Sequence, residues 1–260
     1  MPEGHTLHRL AQDLTRDLVG YEVAASSPQG RFLGADRVDG RVLKSADALG
    51  KHLLLRFAGG ARVHVHLGLF GRFYRRRNPA PGPRSTTRLR LVGPTVTWDL
   101  VGPTRCELLT LAGLRALEAR IGADPLAANG NGESFLAALS RTRRPIGAVL
   151  LDQRVVSGIG NVYRAELLFL AGIHPLTPAR SLPRSTCDSL WEASRALLAR
   201  GVRERRIVTV PHEGPGRPRR GEALYVYKRR RCRACGGAIR RIPLGGRPIY
   251  ACETCQPPAV

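Results

Sequence analysis

The chain has 260 residues, 43% of them apolar, which suffices for two compact domains with buried cores. No apolar run is long enough to cross a bilayer as a helix, and a soluble protein is expected. With 42 basic residues against 20 acidic ones the net charge is +22 and the pI near 11.3, a field that calls for a polyanionic partner.

The opening MPEGHTLHRL carries an acid at Glu3 and lacks both an apolar core and a small-residue cleavage site. Neither a secretory signal nor a transit peptide is expected, and the cytoplasm is the default location. Leu7, Leu10, Ala11, Leu14 and Leu18 share one face at helical spacing and predict a helix over residues 3–19. From Tyr21 to about Thr110 short β-type segments follow, broken by Gly and Pro: VAAS, FLGADRV, HLLLRF, ARVHVHL, TRLRLV and TVTWDL. In one of them Val63, Val65 and Leu67 alternate with Arg62, His64 and His66, the pattern of a half-buried strand, and the set predicts a β-sandwich. A short helix is expected over 111–120, then a Gly/Asn/Pro-rich linker over 121–131.

Helical periodicity returns in FLAALSR, PIGAVLLDQ, NVYRAELLFLAG and STCDSLWEASRALLAR. VPHEGPGRPRRG is too polar and too rich in Gly and Pro to pack, and reads as a mobile loop. The fold class expected is α+β. An N-terminal domain (1–120) would be a β-sandwich flanked by helices, followed by the linker, a helical domain (132–222) and a Cys-rich module (223–260).

Three motifs carry chemistry. Cys232, Cys235, Cys252 and Cys255 follow C-x2-C, sixteen residues, C-x2-C, the spacing of a four-thiolate zinc site. Between the pairs, β-type residues flank Gly245-Gly246, a two-residue hairpin turn that would hold Arg247 near its tip. Four ligands leave the zinc no open position, so one structural Zn2+ is expected. Cys106 and Cys187 stand apart and read as buried small hydrophobes. In SGIGNVYRAELL, two glycines let the chain turn so that Asn161 begins a helix whose end would attract an anion, a phosphate in so basic a chain. At the N-terminus, removal of Met1 would leave Pro2 as a free α-amine with a pKa of about 8, partly unprotonated and nucleophilic at neutral pH. Glu3 beside it could serve as acid or base. Against this stands a plainer reading, in which Pro2 only marks Met processing and Glu3 only favours a helix start.

In this order, PEG, GKHLLL, HLGLFG, SGIGNVYRAELL and the terminal four-cysteine finger resemble the formamidopyrimidine-DNA glycosylase and endonuclease VIII family over nearly the whole chain. The resemblance implies a helix-two-turn-helix domain before the finger, and an enzyme, expected as a monomer, that excises oxidised bases from double-stranded DNA and cleaves abasic sites. It implies Pro2 as Schiff-base nucleophile, Glu3 as proton donor, and Lys51 as a hairpin lysine that contacts phosphate and assists elimination. Lys44, Lys51 and Lys228 are the chain's lysines, and a lysine can donate a proton where arginine cannot. Asn161 and Arg247 are implied as phosphate contacts, Arg247 also in elimination, and Leu69 and Phe70 as the loop that fills the hole left by a flipped nucleotide. Gly68 offers no side chain where some relatives insert one. PEGHT departs from the family's PEGPE or PELPE, with Thr6 in place of a second acid, which bears on substrate choice. No aromatic platform for a purine occurs over 211–221, so oxidised pyrimidines are favoured, with oxidised purines or a non-catalytic zinc-finger DNA-binding protein as alternatives.

Overall fold

In the computed structural model, residues 2–128, 130, 132–211, 218–219 and 221–258 are described, and the chain divides into two compact units, Met1–Arg120 and Ile121–Val260. No helix among the described residues is long and apolar enough to cross a membrane.

The first unit opens with α1 (Gly4–Leu18), whose predicted stripe of Leu7, Leu10, Ala11, Leu14 and Leu18 is buried. Strands β1 (Glu22–Ser26), β2 (Arg41–Leu49), β3 (His52–Phe57), β4 (Arg62–His66), β5 (Arg72–Arg77), β6 (Thr87–Val92), β7 (Val96–Val101) and β8 (Arg105–Leu108) precede α2 (Leu111–Arg120). They pair antiparallel in the order β5-β7-β6-β1-β2-β3-β4-β8. Only two residue pairs join β1 to β2, Glu22 with Val42 and Val23 with Arg41. Both halves supply one hydrophobic cluster, with Leu89, Leu91, Trp98 and Leu100 from one side and Leu43, Leu53, Leu55 and Val63 from the other. The expected sandwich is therefore a single strand order folded about its narrow β1–β2 junction.

One expected strand is absent. In 32–38 the buried apolar residues Phe32, Ala35 and Val38 recur every third position, and the chain makes a short 3-10 turn over Ala35–Arg37. Three strands were not foreseen. The Ala46, Asp47 and Ala48 of β2 are weak strand formers, and pairing with β3 supplies what propensity does not. The arginine-rich edge strand β5 is held from the side: Arg75 bonds Asp17, Trp98 Nε1 donates to the same carboxylate at 3.1 Å, and Phe73 packs edge-on against Trp98. That pairing lowers the Asp17 carboxyl below its usual range although burial acts the other way. The third, β8, is a four-residue strand with Arg105 and Glu107 on it, too short to show alternation.

The second unit contains α3 (Gly132–Ser140), α4 (Ile146–Val149), α5 (Asn161–Leu170) and α6 (Arg184–Glu204), then the hairpin β9 (Ile239–Leu244) and β10 (Arg247–Cys252). PIGAVLLDQ, expected as a full helix, yields only the single turn α4. Asp152 accepts the Arg154 N–H, while Gln153 donates to the Leu151 and Ile159 carbonyls and accepts the Gly158 N–H, so side chains take over the backbone groups that a helix would need. In the segment read as a linker, the Gly122 N–H donates to Gln153 O and the Ser157 N–H to Ala123 O, each at 2.9 Å. One core runs from Phe135, Leu168 and Trp191 to Val226, Ile249 and Cys252, so the Cys-rich module shares it. Of the expected loop over 211–221, residues 212–217 and 220 lie outside the described residues.

Candidate active site and nucleic-acid interface

In the first unit Pro2 stands half-buried just ahead of α1, and Glu3 occupies the position before the first helical residue, extended at φ −125° and ψ −178°. The Glu3 carbonyl accepts the Thr6 N–H at 2.9 Å, and the residue has no solvent exposure. A carboxyl there lies against the positive end of α1. His5 is buried as well and pushed down to about 3, chiefly by burial and then by Arg9, so it is neutral at neutral pH. Thr6 Oγ1 lies 3.2 Å from its Nε2, which puts an uncharged His5–Thr6 pair at the position of the family's second acid.

Lys51 lies in the two-residue turn between β2 and β3. Leu49 pairs with His52, and Gly50 takes φ +56°, so the positive angle falls on the first central residue, as in a type II′ turn. The hairpin thereby sets Lys51 at its tip.

Leu69 and Phe70 occupy the turn after β4, closed by the Gly71 N–H on the Leu67 carbonyl at 2.9 Å. Leu69 is 49% exposed and Phe70 83%, so neither is the end of a core strand. Gly68 has φ +66°, and a Cβ there would fall 2.3 Å from Thr104 Cγ2, which is why this turn carries no third side chain.

Beside this turn lies a histidine cluster that the sequence reading did not identify. His52 Nδ1 is 2.8 Å from His64 Nε2, His64 Nδ1 is 3.0 Å from Glu107 Oε1, and the His66 ring is centred 5.0 Å from that of His52. The polar face of β4 is thus covered rather than solvated: His64 is only 3% exposed. Burial leads in lowering all three imidazoles, His52 to about 3, with the neighbouring cations adding to it. Alternation placed His64 and His66 on one face; only the pairing of β3, β4 and β8 brings them together with His52 and Glu107.

In the second unit Asn161 is the first residue of α5, following Gly160. It is buried, its Nδ2 donates to the Pro248 carbonyl at 3.0 Å, and its Oδ1 is buried without a partner. Arg247 begins β10 after Gly245 and Gly246, whose φ values of +61° and +74° make a type I′ turn. Asn161 therefore holds the residue next to Arg247. Two α5 residues that sequence did not single out strengthen that hold. Arg164, fully buried, donates through Nη1 to Gly147 O at 2.9 Å and Leu244 O at 3.2 Å, and through Nη2 to Arg247 O at 2.8 Å, so its guanidinium spans both ends of the glycine turn. Glu166, also fully buried, accepts the N–H groups of Tyr225, Val226 and Tyr227 at 2.7 to 2.9 Å together with the Thr209 hydroxyl. The signal was a lone Arg and a lone Glu inside an apolar helix, positions where charge is costly unless paired.

The four sulfurs of Cys232, Cys235, Cys252 and Cys255 lie within 4.8 Å of one another, the one metal-type cluster among the described residues. A tetrahedral zinc with bonds of about 2.3 Å separates its sulfurs by about 3.8 Å, so the cage fits. The Gly237 N–H points at Cys235 Sγ and the Cys255 N–H at Cys252 Sγ, 3.4 and 3.5 Å away, which favours the thiolates that zinc requires. Bound zinc would tie both ends of the hairpin and do no chemistry on a substrate. Cys106 and Cys187 are buried in the two cores, and burial raises both thiols, Cys106 to about 12.

Residues 1–103 match the formamidopyrimidine-DNA glycosylase N-terminal domain and residues 121–211 its H2TH domain. Fold and motifs define a bifunctional DNA glycosylase and AP lyase. The chain belongs to the formamidopyrimidine-DNA glycosylase and endonuclease VIII family. It is 44% identical to endonuclease 8 1 of Mycobacterium tuberculosis, across 98% of this chain and all of that one. It is 31% identical to the formamidopyrimidine-DNA glycosylase of Thermus thermophilus, across 98% and 97% of the two chains. The Lactococcus lactis Fpg solved in complex with abasic-site DNA has the same fold, with a TM-score of 0.80 at 22% identity over 98% of this chain and 99% of that one.

Proposed function

We propose that this enzyme acts in the cytoplasm on chromosomal DNA, removing oxidised bases, pyrimidines above all, with Pro2 as nucleophile. The observation that carries the residue assignment is the placement of Glu3, wholly buried at the head of α1 and adjacent in sequence to the only secondary amine that Met1 removal would create. The Pro2 nitrogen attacks C1′ of the damaged nucleotide, the C1′–N bond breaks and the base leaves with its electron pair; the attached amine gives up its proton, Glu3 protonates O4′, and the C1′–O4′ bond breaks to open the sugar. The resulting iminium draws electrons from C2′; loss of a C2′ proton expels the 3′-phosphate, and a second elimination expels the 5′-phosphate. Lys51, at its hairpin tip, neutralises phosphate and can supply a proton. Asn161 and Arg247 grip the phosphates beside the lesion, and Leu69 and Phe70 fill the vacated stack.

The pyrimidine preference is supported by two facts. The relative at 44% identity is called an endonuclease 8, whereas Thermus thermophilus formamidopyrimidine-DNA glycosylase stands at 31%. Residues 211–221 also lack an aromatic side chain to stack on a purine.

Borohydride reduction tests the nucleophile. Incubation with abasic or lesion-bearing duplex and borohydride is expected to yield a covalent adduct on the N-terminal peptide, and one extra residue before Pro2 should abolish it while DNA binding persists. Trapping that survives the extension would move the nucleophile to Lys51. A panel of duplexes with single oxidised bases measures preference: faster excision of formamidopyrimidines than of oxidised pyrimidines would reverse the lesion assignment.

A further inference from the structure

We propose that His66 is a positioning residue which, with Thr104, latches the exposed Leu69–Phe70 turn in the shape that enters DNA, and that the latch holds only while the His66 ring is neutral. The inference rests on the glycosylase reading above and adds a control to its void-filling turn.

Two polar groups meet at one imidazole nitrogen. The Gly68 N–H lies 3.2 Å from His66 Nδ1, and Thr104 Oγ1 lies 2.9 Å from the same atom. Thr104 also reaches back to the His66 carbonyl, with its hydroxyl at 2.9 Å and its N–H at 3.0 Å. An amide N–H can only donate, so its bond to Nδ1 requires a lone pair there, the tautomer carrying its proton on Nε2. Put a proton on Nδ1 and the arrangement changes: Nδ1 donates to Thr104 Oγ1, the hydroxyl donates to the His66 carbonyl, and the Gly68 N–H loses its acceptor. Gly68 cannot settle elsewhere cheaply, because its φ of +66° and its packing against Thr104 fix the entry into the turn. Phe70 has little else to hold it, being 83% exposed, with the backbone of Gly102 alongside its carbonyl.

The groups facing His66 favour the neutral ring. Besides burial, His64 on its own strand, Lys51 at the β2–β3 turn and Arg105 on β8 all oppose its protonation, and its register partner His52 is itself held neutral. Glu107, the nearby acid, bonds His64 instead. The latch is therefore closed at neutral pH and opens only below the ordinary histidine range.

The test compares wild type with His66→Asn, whose side-chain oxygen can accept the Gly68 N–H and does not titrate, and with His66→Leu, which can do neither. Single-turnover excision of an oxidised base from duplex DNA is measured against cleavage of the same duplex carrying a preformed abasic site, from about pH 5 to about pH 8. For wild type the ratio of excision to cleavage should fall about three- to tenfold toward acid, the factor expected for one hydrogen bond. His66→Asn should keep the neutral-pH ratio and lose its slope, and His66→Leu should show the lowered ratio at every pH. Should the Leu variant not fold, hydrogen exchange of the Gly68 amide in wild type gives the same answer, with protection at neutral pH that is lost as the pH falls below the ordinary histidine range. A wild-type slope surviving in His66→Asn, or Gly68 protection indifferent to pH, sinks the latch while leaving the glycosylase assignment intact. Wild type that neither excises nor cleaves overturns both.

Discussion

The two units hold their proposed DNA-facing residues by different means. In the first, Lys51, Leu69 and Phe70 sit on tight turns whose shape is set by glycines and strand pairing, with uncharged imidazoles beneath. In the second, Arg247 is held by buried charge: Arg164 and Glu166 fix the chain on either side of the first cysteine pair, and a thiolate cage closes the finger. Turn geometry tolerates change at the exposed position and fails at the glycine. A buried ionic scaffold fails when any partner is removed, because the groups left behind are desolvated and unpaired.

The largest way to break that contrast is to remove the metal. Chelation, or Cys252→Ser, should cost the finger a large part of the binding free energy of a structural zinc, about 10 kcal/mol or more in peptide systems, and abolish tight DNA binding. The first unit should keep its own melting transition, which calorimetry would show; loss of both transitions together would mean that the units are not independent.

Arg164→Met comes next. It strands three carbonyls, that of Gly147 buried, and should destabilise the second unit by about 3 kcal/mol, lowering DNA affinity through a disordered Arg247. The expected signature is a larger defect in strand cleavage than in the fold of the first unit. An unchanged denaturant midpoint would show that the guanidinium is replaceable.

Glu3→Gln sharpens the comparison from the other side. It should slow base excision about a hundredfold or more, the range for losing a positioned proton donor, yet affect cleavage of preformed abasic sites far less. Leu69→Ala with Phe70→Ala should reduce excision of a stacked lesion about tenfold, again sparing abasic DNA, which has no base to extrude.

Acid provides the gentlest probe. Burial leads in depressing His5, His52, His64 and His66 in the folded first unit, so the unfolded chain binds more protons below about pH 6.5. Stability is then complete above that pH and declines as pH falls toward 3, the region to which His5 and His52 are displaced. Replacing His52 with Gln should flatten the dependence of the first unit's melting temperature on pH; an unaltered slope would assign it elsewhere.

How far the sequence could be read follows the same division. Local periodicity revealed α1, β3, β4 and the finger hairpin because each buries its own stripe or turns on its own glycines. It missed β2 and β5, whose strand character comes from pairing with β3 and β7 rather than from their own composition, and overran at α4, where Asp152 and Gln153 capture the backbone. The cysteine spacing was legible because metal geometry is written directly into residue separation. The histidine cluster and the Arg164 bridge were not, since each joins residues whose nearness exists only after strands pair or a hairpin docks. The Gly68 collision with Thr104 belongs to the same group: a missing side chain can be noticed in sequence, but its reason lies 36 positions downstream, where residue 104 crosses residue 68.

The ten-residue helix α5 has a consequence for how such proteins can be rearranged. Asn161, Arg164 and Glu166 all lie on it, and between them they bond Pro248, Leu244, Arg247 and the stretch Tyr225–Tyr227 that leads into the first cysteine pair. The cysteine module is therefore not portable. Cut out and fused to another scaffold, it could still gather its metal, but the loop that displays Arg247 would have no template to lie on. Recombination that exchanges this module between relatives would have to carry the helix with it as a single heritable block.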